Sequence, residues 1–329
     1  MTFKLEYLAS LVDPIDGTAL HVGVNSLLST TGKSYPVVMG VPRFVTSENY
    51  ASDFGLQWNR FQKNQLDSST GHNYSEARLS RCLHCSDLNM LSGKTILEAG
   101  CGAGRFTEIM LKYRANLHSF DYSNAVEACF RNHGIKENFL LVQADIRSMP
   151  FKKATYDYVV CLGVVQHTPN SEETIRLLYE MVKPGGYLCF DHYIWKFRNI
   201  LPPPIGVAEN VYRQIILKLP KAKRLSAVKS IVDYFFPIHW RFRDSKIAQQ
   251  LLRRISPVHF YYPDFTLRDY DEYYQWALLD THDGTTDYYR HLITPGKVQQ
   301  ILQKLGAANI KVSVGGNGVE ALCTKPELL

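Results

Sequence analysis

The chain has 329 residues, of which 45% are hydrophobic and 21% charged, as is usual in globular proteins. No apolar run approaches the roughly 18 residues that a membrane span needs, and the first residues lack the pattern of a signal peptide. The seven cysteines are scattered, which favours a reducing compartment over a disulfide framework. We therefore expect a cytoplasmic protein without a transmembrane segment.

The net charge of +6 is unevenly distributed along the chain. Residues 196–256 carry thirteen Lys or Arg against three acids, whereas residues 264–289 carry seven acids against Arg268 alone. The two stretches can neutralise each other across a packed surface. Alternatively, the basic stretch attracts an anionic substrate or partner.

Residues 1–48 have the pattern of a small β-rich module, with Gly40 and Pro42 marking a turn between two strands. The module resembles small zinc-ribbon-like modules, which usually hold zinc through pairs of cysteines. It contains no cysteine, and Asp13 and Asp16 stand in the matching place. Two carboxylates alone make a poor structural zinc site, so the sequence predicts no metal.

Residues 49–93 have the composition of a polar helical arm with an aromatic and amide cluster at 54–61. The arm either packs on the core or closes over a ligand. From residue 94, strands alternate with helices, which predicts an α/β fold with helices on both faces of a parallel sheet. The expected core is 94–193, followed by a helical cap insertion at 194–275. Residues 276–329 then complete a doubly wound, seven-stranded, mostly parallel sheet with a helix and a hairpin.

A loop with Gly100, Gly102 and Gly104 follows the first strand of this core, where a doubly wound sheet binds ligands. A phosphate-binding loop is excluded, because the leading glycine of that motif is missing before Gly93-Lys-Thr and before Gly32-Lys-Ser. The dinucleotide fingerprint is disfavoured, because Arg105 stands where the third spaced glycine belongs.

The remaining candidate ligand is S-adenosylmethionine, whose pattern acid-x-Gly-x-Gly-x-Gly begins at Glu98. Its sulfonium and ammonium are cationic, so an acid at the strand end is electrostatically favourable. Asp121 ends the second strand, where a carboxylate can accept both ribose hydroxyls. Asp145 ends the third strand and can bind the adenine amino group, while Ile146 packs on the ring.

Residues 94–190 resemble the class I S-adenosylmethionine-dependent methyltransferases with a Rossmann-like fold, particularly the small-molecule group. Three segments carry the resemblance: 98–105, 156–167 and 182–188. Residues 54–58, with Gln65 and Asp67, are similar to a bacterial subgroup with members in glycan and metabolite tailoring. The resemblance implies S-adenosylmethionine as cofactor. It implies these cofactor-binding residues: Glu98, Gly100, Cys101, Gly102, Gly104, Asp121, Tyr122, Asp145, Ile146, Leu162, Gly163 and Gln166.

Methyl transfer requires alignment of the nucleophile and exclusion of water, and a hydroxyl acceptor benefits from a general base. His167, which follows the fourth strand, is the first catalytic candidate, with a structural role in its loop as the alternative. Asp280 and His282 are further catalytic candidates, in a run that is either an acceptor-binding loop or a turn rich in caps. The predicted substrate-binding residues are His192, Tyr193 and Asp283.

We expect transfer to an O or N nucleophile of a small-molecule or sugar-type acceptor, with phosphate on the acceptor as an option given the basic insertion. No nucleic acid is expected, because no recognisable binding module accompanies the charge. An amphipathic membrane contact through 217–231 is a further alternative. Rival functions are a catalytically silent cofactor-binding subunit, an RNA or protein methyltransferase, and a nicotinamide enzyme. The oligomeric state is not predicted.

Overall fold

A computed structural model describes residues 4–46, 49–197, 201, 203 and 205–327. The remaining residues of the predicted module 1–48, namely 1–3 and 47–48, lie outside the described part. The chain forms two compact units, the first comprising residues 1–194 with 289–329 and the second Trp195–Tyr288. No described helix is long and apolar enough to cross a membrane.

The first unit contains a seven-stranded sheet that confirms the predicted fold class. Its strands are β5 (Thr95–Ala99), β6 (Asn116–Asp121), β7 (Phe139–Gln143), β8 (Tyr156–Cys161), β9 (Val182–His192), β10 (Ala308–Gly315) and β11 (Gly318–Thr324). Their order is β10-β11-β9-β8-β5-β6-β7, with β5 to β9 paired in parallel and β11 antiparallel to both β9 and β10. Strand order reverses at β5, so the loop after β5 lies at the switch point of the sheet.

Helices connect these strands and cover both faces. They are α4 (Arg105–Lys112), α5 (Ala125–His133), α6 (Ser171–Met181) and α11 (Pro295–Lys304). Asn170 and Thr294 cap α6 and α11 by accepting the backbone N–H of the third residue beyond, and Pro295 occupies the first helical position. Along β8, Val159 joins one hydrophobic cluster and Val160 the other, so the sheet is buried on both faces.

One boundary within the core differs from the expected one. The segment Lys183-Pro-Gly-Gly, whose Pro and Gly are typical of a helix end, belongs to the start of β9. Helix α6 ends at Met181, and Val182 turns extended to pair with Tyr156. The strand then shifts its register between Tyr156 and Tyr158, which accommodates Pro and Gly in a strand.

The N-terminal module is an antiparallel sheet of β1 (His21–Gly23), β2 (Ser26–Leu28), β3 (Ser34–Val38) and β4 (Val41–Pro42). The predicted turn at Gly40 connects β3 to β4. Beyond β4 the chain runs beside β7, because the Phe44 N–H donates to the Gln143 carbonyl at 2.8 Å and the Arg43 guanidinium donates to the Gln143 side chain at 3.1 Å. The module therefore covers the β7 edge of the large sheet.

The predicted arm is helical, with α1 (Ser52–Arg60), α2 (Asp67–Thr70) and α3 (Tyr74–Cys82). Helix α1 packs against α5, and the Asn59 amide donates to the Asn124 carbonyl at 2.9 Å. Gly55 allows this approach, because a Cβ at that position would lie 3.1 Å from the Asn124 backbone nitrogen. The arm packs on the core, as one of the two alternatives predicted.

The second unit is helical, with α7 (Glu209–Leu217), α8 (Lys221–Arg241), α9 (Lys246–Ile255) and α10 (Tyr270–Thr286). The predicted boundary at 275/276 falls inside α10, which Asp269 caps and which continues unbroken to Thr286. The run 279–284, expected as a loop or turn, is therefore helix. Within this unit the Arg213 guanidinium pairs with Asp287 at 2.5 Å, one ion pair between the basic and acidic stretches.

Candidate active site

The glycine loop after β5 is held in a conformation that side chains would prevent. Gly100 and Gly104 have φ of +79° and +92°, where L-residues are strained. A Cβ at Gly100 would lie 2.3 Å from Val164, and one at Gly104 would lie 2.3 Å from the His133 ring. The loop therefore needs glycine at both positions to stay packed against its neighbours.

Asp121 ends β6 and is bound to this loop. One carboxylate oxygen accepts the Gly102 N–H at 3.0 Å, and the other accepts the N–H and hydroxyl of Ser123 at 2.8 and 2.7 Å. Burial raises its pKa, although the Ser123 bonds oppose that shift. Uncharged donors thus fix the carboxylate in the position predicted for the ribose ligand.

Asp145 lies beyond β7 and has a different environment. Its carboxylate accepts the Arg147 backbone N–H at 2.8 Å and pairs with the Arg147 guanidinium at 2.6 Å. Ile146, predicted to pack on adenine, is buried and belongs to a core cluster. Tyr122 is half-buried, with its ring 5.0 Å from that of Tyr50 in the arm.

Glu98 is buried beneath the loop and is not paired with a cation. Its Oε2 accepts the hydroxyls of Thr107 and Ser119, both at 2.6 Å, whereas Oε1 has no hydrogen-bond partner among the described residues. Burial raises the pKa of Glu98 to about 7. Cys101, the next predicted cofactor residue along the loop, is also buried, and burial raises its thiol pKa.

Leu162 and Gly163 follow β8, on the other side of β5. Leu162 is buried in a core cluster, and the Gly163 N–H donates to the Asp191 carboxylate at 2.6 Å. Asp191 is fully buried and forms an ion pair with Arg78 of the arm. This pair was not predicted, because the two residues lie 113 positions apart in the sequence.

The next turn of chain places Gln166 and His167 together. Gln166 is fully buried, and neither atom of its side-chain amide has a hydrogen-bond partner among the described residues. The His167 ring lies between the rings of Phe54 and Tyr193, at centroid distances of 5.1 and 5.2 Å. Its Nδ1 is 3.3 Å from the Tyr289 carbonyl oxygen, which can only accept, so Nδ1 carries the proton and Nε2 the lone pair.

His192, predicted to bind substrate, lies in the interior of the first unit. It is fully buried, with Nε2 2.9 Å from the Ser171 hydroxyl and Nδ1 3.0 Å from the Tyr193 carbonyl. Burial lowers its pKa to about 4. The side chain links β9 to α6, which is a structural role. Tyr193, in contrast, is half-buried and contacts His167.

The three candidates in the second unit are on α10 and do not form a loop. Asp280 accepts the Tyr261 hydroxyl, and His282 is buried, which lowers its pKa to about 4. Asp280 and Asp283 are three residues apart and share a helix face, whereas His282 points to another face. The helix therefore separates His282 from the two aspartates.

Sequence reasoning missed several residues around the glycine loop. The Trp58 ring lies 3.3 Å from the point where a Gly102 Cβ would stand. Tyr50 contacts both Tyr122 and Tyr289, with centroid distances of 5.0 Å. The aromatic cluster at 54–61 was a signal for Trp58, but Tyr289 lies 239 positions after Tyr50 and offered none.

Buried polar atoms of two side chains near the glycine loop lack hydrogen-bond partners among the described residues and so indicate what ligand would fit. Glu98 Oε1 is buried near the end of β5, and the Gln166 amide is buried in the turn that follows β8. Buried polar groups are normally hydrogen-bonded, so they fit a polar ligand that provides the missing donors and acceptors. A cationic amino-acid moiety suits the carboxylate in particular.

Comparison with known proteins agrees with this assignment. Residues 97–190 match the family model described as "Methyltransferase domain". These residues are a class I methyltransferase domain. The S-adenosylmethionine predicted as cofactor is that of this domain class.

Curated relatives include the ubiquinone biosynthesis O-methyltransferase of Azoarcus sp. (strain BH72), 30% identical over 127 residues, which are 37% of this chain and 52% of the relative. The protein of that name from Pseudomonas savastanoi pv. phaseolicola is 34% identical over 106 residues, 30% of this chain and 44% of the relative. The chain thus spans about half the length of the curated relatives it matches. A solved structure of a methyltransferase from Aquifex aeolicus is 12% identical to this chain. The match has a TM-score of 0.42 and covers 84% of this chain and 98% of that one.

Proposed function

We propose that the chain transfers a methyl group from S-adenosylmethionine to an oxygen nucleophile of a small-molecule acceptor. The identity of the donor is supported by carboxylates beside the glycine loop whose hydrogen-bond partners are uncharged. One of them, Asp121, accepts the Gly102 N–H at 3.0 Å. The names of the curated relatives support an oxygen acceptor on a small molecule. The alternatives are a sugar-type or phosphate-bearing acceptor and a nitrogen nucleophile, and the acceptor assay below distinguishes them.

The bound donor supplies an activated methyl group, and the residues of this chain supply alignment and a base. Asp121 orients the ribose through the two carboxylate oxygens that backbone and hydroxyl donors already fix. Glu98 provides negative charge near the cationic end of the donor. His167 accepts the acceptor's hydroxyl proton at Nε2, since the Tyr289 carbonyl keeps the proton on Nδ1.

In the transfer step, the acceptor oxygen forms a bond to the methyl carbon while the carbon–sulfur bond breaks. The electron pair of the carbon–sulfur bond stays on sulfur, which becomes neutral. The hydroxyl proton goes to His167. The rings of Phe54 and Tyr193 hold the imidazole in place, so little reorganisation is needed.

The donor is tested by calorimetry with S-adenosylmethionine, S-adenosylhomocysteine and NADH. We expect binding of the first two only, and Asp121→Asn should weaken that binding about 10- to 100-fold, as loss of charged hydrogen bonds does. Asp157→Asn is the matched control, because Asp157 lies near the amino end of β8, whereas the glycine loop lies at the carboxyl ends of the parallel strands. Binding of NADH without S-adenosylhomocysteine contradicts the proposal.

The base is tested with radiolabelled donor and hydroxyl-bearing metabolites, including phenols, sugars and sugar phosphates. Once an acceptor is found, His167→Gln should lower kcat about 10²- to 10⁴-fold and remove its rise with pH. The affinity for donor should stay unchanged. His21→Gln, at an exposed position of β1, is the control. An unchanged kcat and pH profile in the His167 variant exclude it as base, and absence of transfer despite tight donor binding favours a silent subunit.

A further inference from the structure

Helix α9 exposes an aliphatic stripe that no described residue covers. Ile247, Leu251 and Ile255 are 74%, 66% and 59% exposed, although they occupy successive turns of the helix. At about 100° per residue, each is displaced about 40° from the one before, so the three form one continuous face. Isolated exposed aliphatic residues are ordinary, but a continuous face of a helix is not.

The helix is attached to the second unit by a different side. Leu252 and Gln249 are its buried residues, and the Gln249 amide donates to the carbonyl oxygens of His239 and Phe242 at 2.8 and 3.1 Å. An amphipathic helix normally turns its apolar face to the core. Helix α9 instead packs by one edge of that face and leaves the rest in solvent.

Apolar residues extend the stripe at both ends of the helix. Phe242, whose carbonyl accepts from Gln249, is 45% exposed. At the other end Ile205, whose carbonyl accepts from the Arg254 guanidinium, is 65% exposed. Exposed apolar side chains therefore also lie next to both ends of the helix. We refer to these five residues, Ile205, Phe242, Ile247, Leu251 and Ile255, as the α9 surface.

The charges on helix α9 itself are all positive, and the nearest acid in the sequence is Asp244, just before the helix. Residues 245–263 contain no acid, while Lys246, Arg253 and Arg254 lie along the polar side of the helix. Among the residues that the structure describes, no acidic side chain forms an ion pair with any of these three. Cations without an acidic partner beside an aliphatic face are typical of an interfacial helix.

The geometry points to the α9 surface as a docking site for a membrane that contains anionic lipids. Its aliphatic side chains enter the boundary between headgroups and acyl chains, and Lys246, Arg253 and Arg254 contact lipid phosphates. A second copy of the chain is a poorer occupant, because a two-fold interface places the same cations opposite each other. The inference stands independently of the proposed methyl transfer.

The surface lies on α9 and not on the segment 217–231 named as an alternative from the sequence. Within the first half of α8, Val228 is buried in the unit, as is Val232 on the next turn. Leu225 and Ile231 of that segment are half-buried. The segment therefore exposes less aliphatic surface than α9, where three aliphatic side chains are more than half exposed.

The test is flotation of the full chain with vesicles of phosphatidylcholine alone and of equal parts phosphatidylcholine and phosphatidylglycerol. We expect partition onto the anionic vesicles that falls as salt is raised. Leu251→Glu should lower that partition about tenfold or more, because it removes an inserted side chain and adds repulsion. Val24→Glu is the matched control, since Val24 is 94% exposed in the N-terminal module and the charge change is the same.

The electrostatic part is tested by Arg253→Gln, which should lower partition about fivefold, the effect of one cation near an anionic surface. Lys152→Gln, at an exposed position in the first unit, should have no effect. Circular dichroism establishes that each variant is folded. Equal partition of wild type and Leu251→Glu overturns the proposal. So does a dimer, seen by light scattering, that Leu251→Glu dissociates, because the surface is then an interface between copies.

Discussion

Two pairs of carboxylates, all buried except the half-buried Asp121, lie near the strand ends of the methyltransferase domain, and their partners differ. Glu98 and Asp121, beside the glycine loop, are held only by hydroxyl and backbone N–H donors. Asp191 and Glu320 stand opposite each other on β9 and β11, and each forms an ion pair with an arginine of α3. Burial raises the pKa of both members of the first pair.

The difference separates binding from stability. Two like charges opposite each other on neighbouring strands repel, so Asp191 and Glu320 need cations from α3 to remain buried. No cation of the described residues pairs with Glu98 or Asp121, and a positively charged ligand at the loop would provide one. Carboxylates held by neutral donors therefore indicate the site, and carboxylates held by arginines indicate how the arm is fastened to the sheet.

Breaking the arginine-held pair should have the largest effect. Arg78→Met leaves the fully buried Asp191 without its cation and should lower the free energy of unfolding by about 3–5 kcal/mol, measured by urea denaturation. The double variant Arg78→Met/Asp191→Asn should recover much of that loss, because Asn can still accept the Gly163 N–H.

Arg81→Met is the matched control on the same helix. Its guanidinium pairs with the buried Glu320 at 2.8 Å, but the arginine side chain is 47% exposed, so water can replace part of the interaction. The expected loss is therefore smaller, about 1–3 kcal/mol. Equal losses for the two arginine variants, or no recovery in the double variant, contradict the assignment of Arg78 as the buried clamp.

The local parts of this architecture were predictable from the sequence. The glycine loop, the strand-end positions of Asp121 and Asp145 and the final hairpin each depend on residues close together in the chain. Their spacing carries the signal directly: periods of two and 3.6, glycines at a turn, and acids after apolar runs.

The parts that depend on distant residues were not predictable. Nothing near Arg78 in the sequence indicates Asp191, and nothing near Tyr50 indicates Tyr289. The run 279–284 was misjudged because Thr, Asp and Gly suggest a turn locally, whereas packing of α10 on α7 and α8 keeps it helical. His192 was predicted to bind substrate because strand ends often face a ligand, but its ring is hydrogen-bonded to Ser171.

Neutralising Glu98 should change how the free energy of unfolding depends on pH. Its pKa of about 7 in the folded state exceeds the value of about 4.3 in an unfolded chain. The folded state therefore holds the proton longer, and its stability falls as pH rises from about 4.3 to 7. Glu98→Gln removes that loss, so its stability relative to wild type should rise by about 2 kcal/mol between pH 5 and pH 8.

Glu76→Gln gives a control of opposite sign. The Lys112 and Tyr113 side chains lower the pKa of Glu76, so its contribution is present at pH 8 and is lost as the pH falls. This variant should be less stable than wild type at pH 8. Thermal melts of the ligand-free proteins across this range measure both effects, and parallel curves for wild type and Glu98→Gln exclude the assigned role of Glu98.

The smallest effect is expected at Asp145, which resembles the arginine-held pair although it lies on the binding side. Arg147 is 43% exposed and pairs with Asp145 at 2.6 Å, so Arg147→Gln should change stability by less than about 1 kcal/mol. If Asp145 binds the adenine amino group, releasing it should tighten donor binding up to about fivefold at low salt. Lys153→Gln, which breaks a similar surface pair with Glu180, should leave binding unchanged. Weaker donor binding in the Arg147 variant would instead make the guanidinium itself the ligand contact and Asp145 its support.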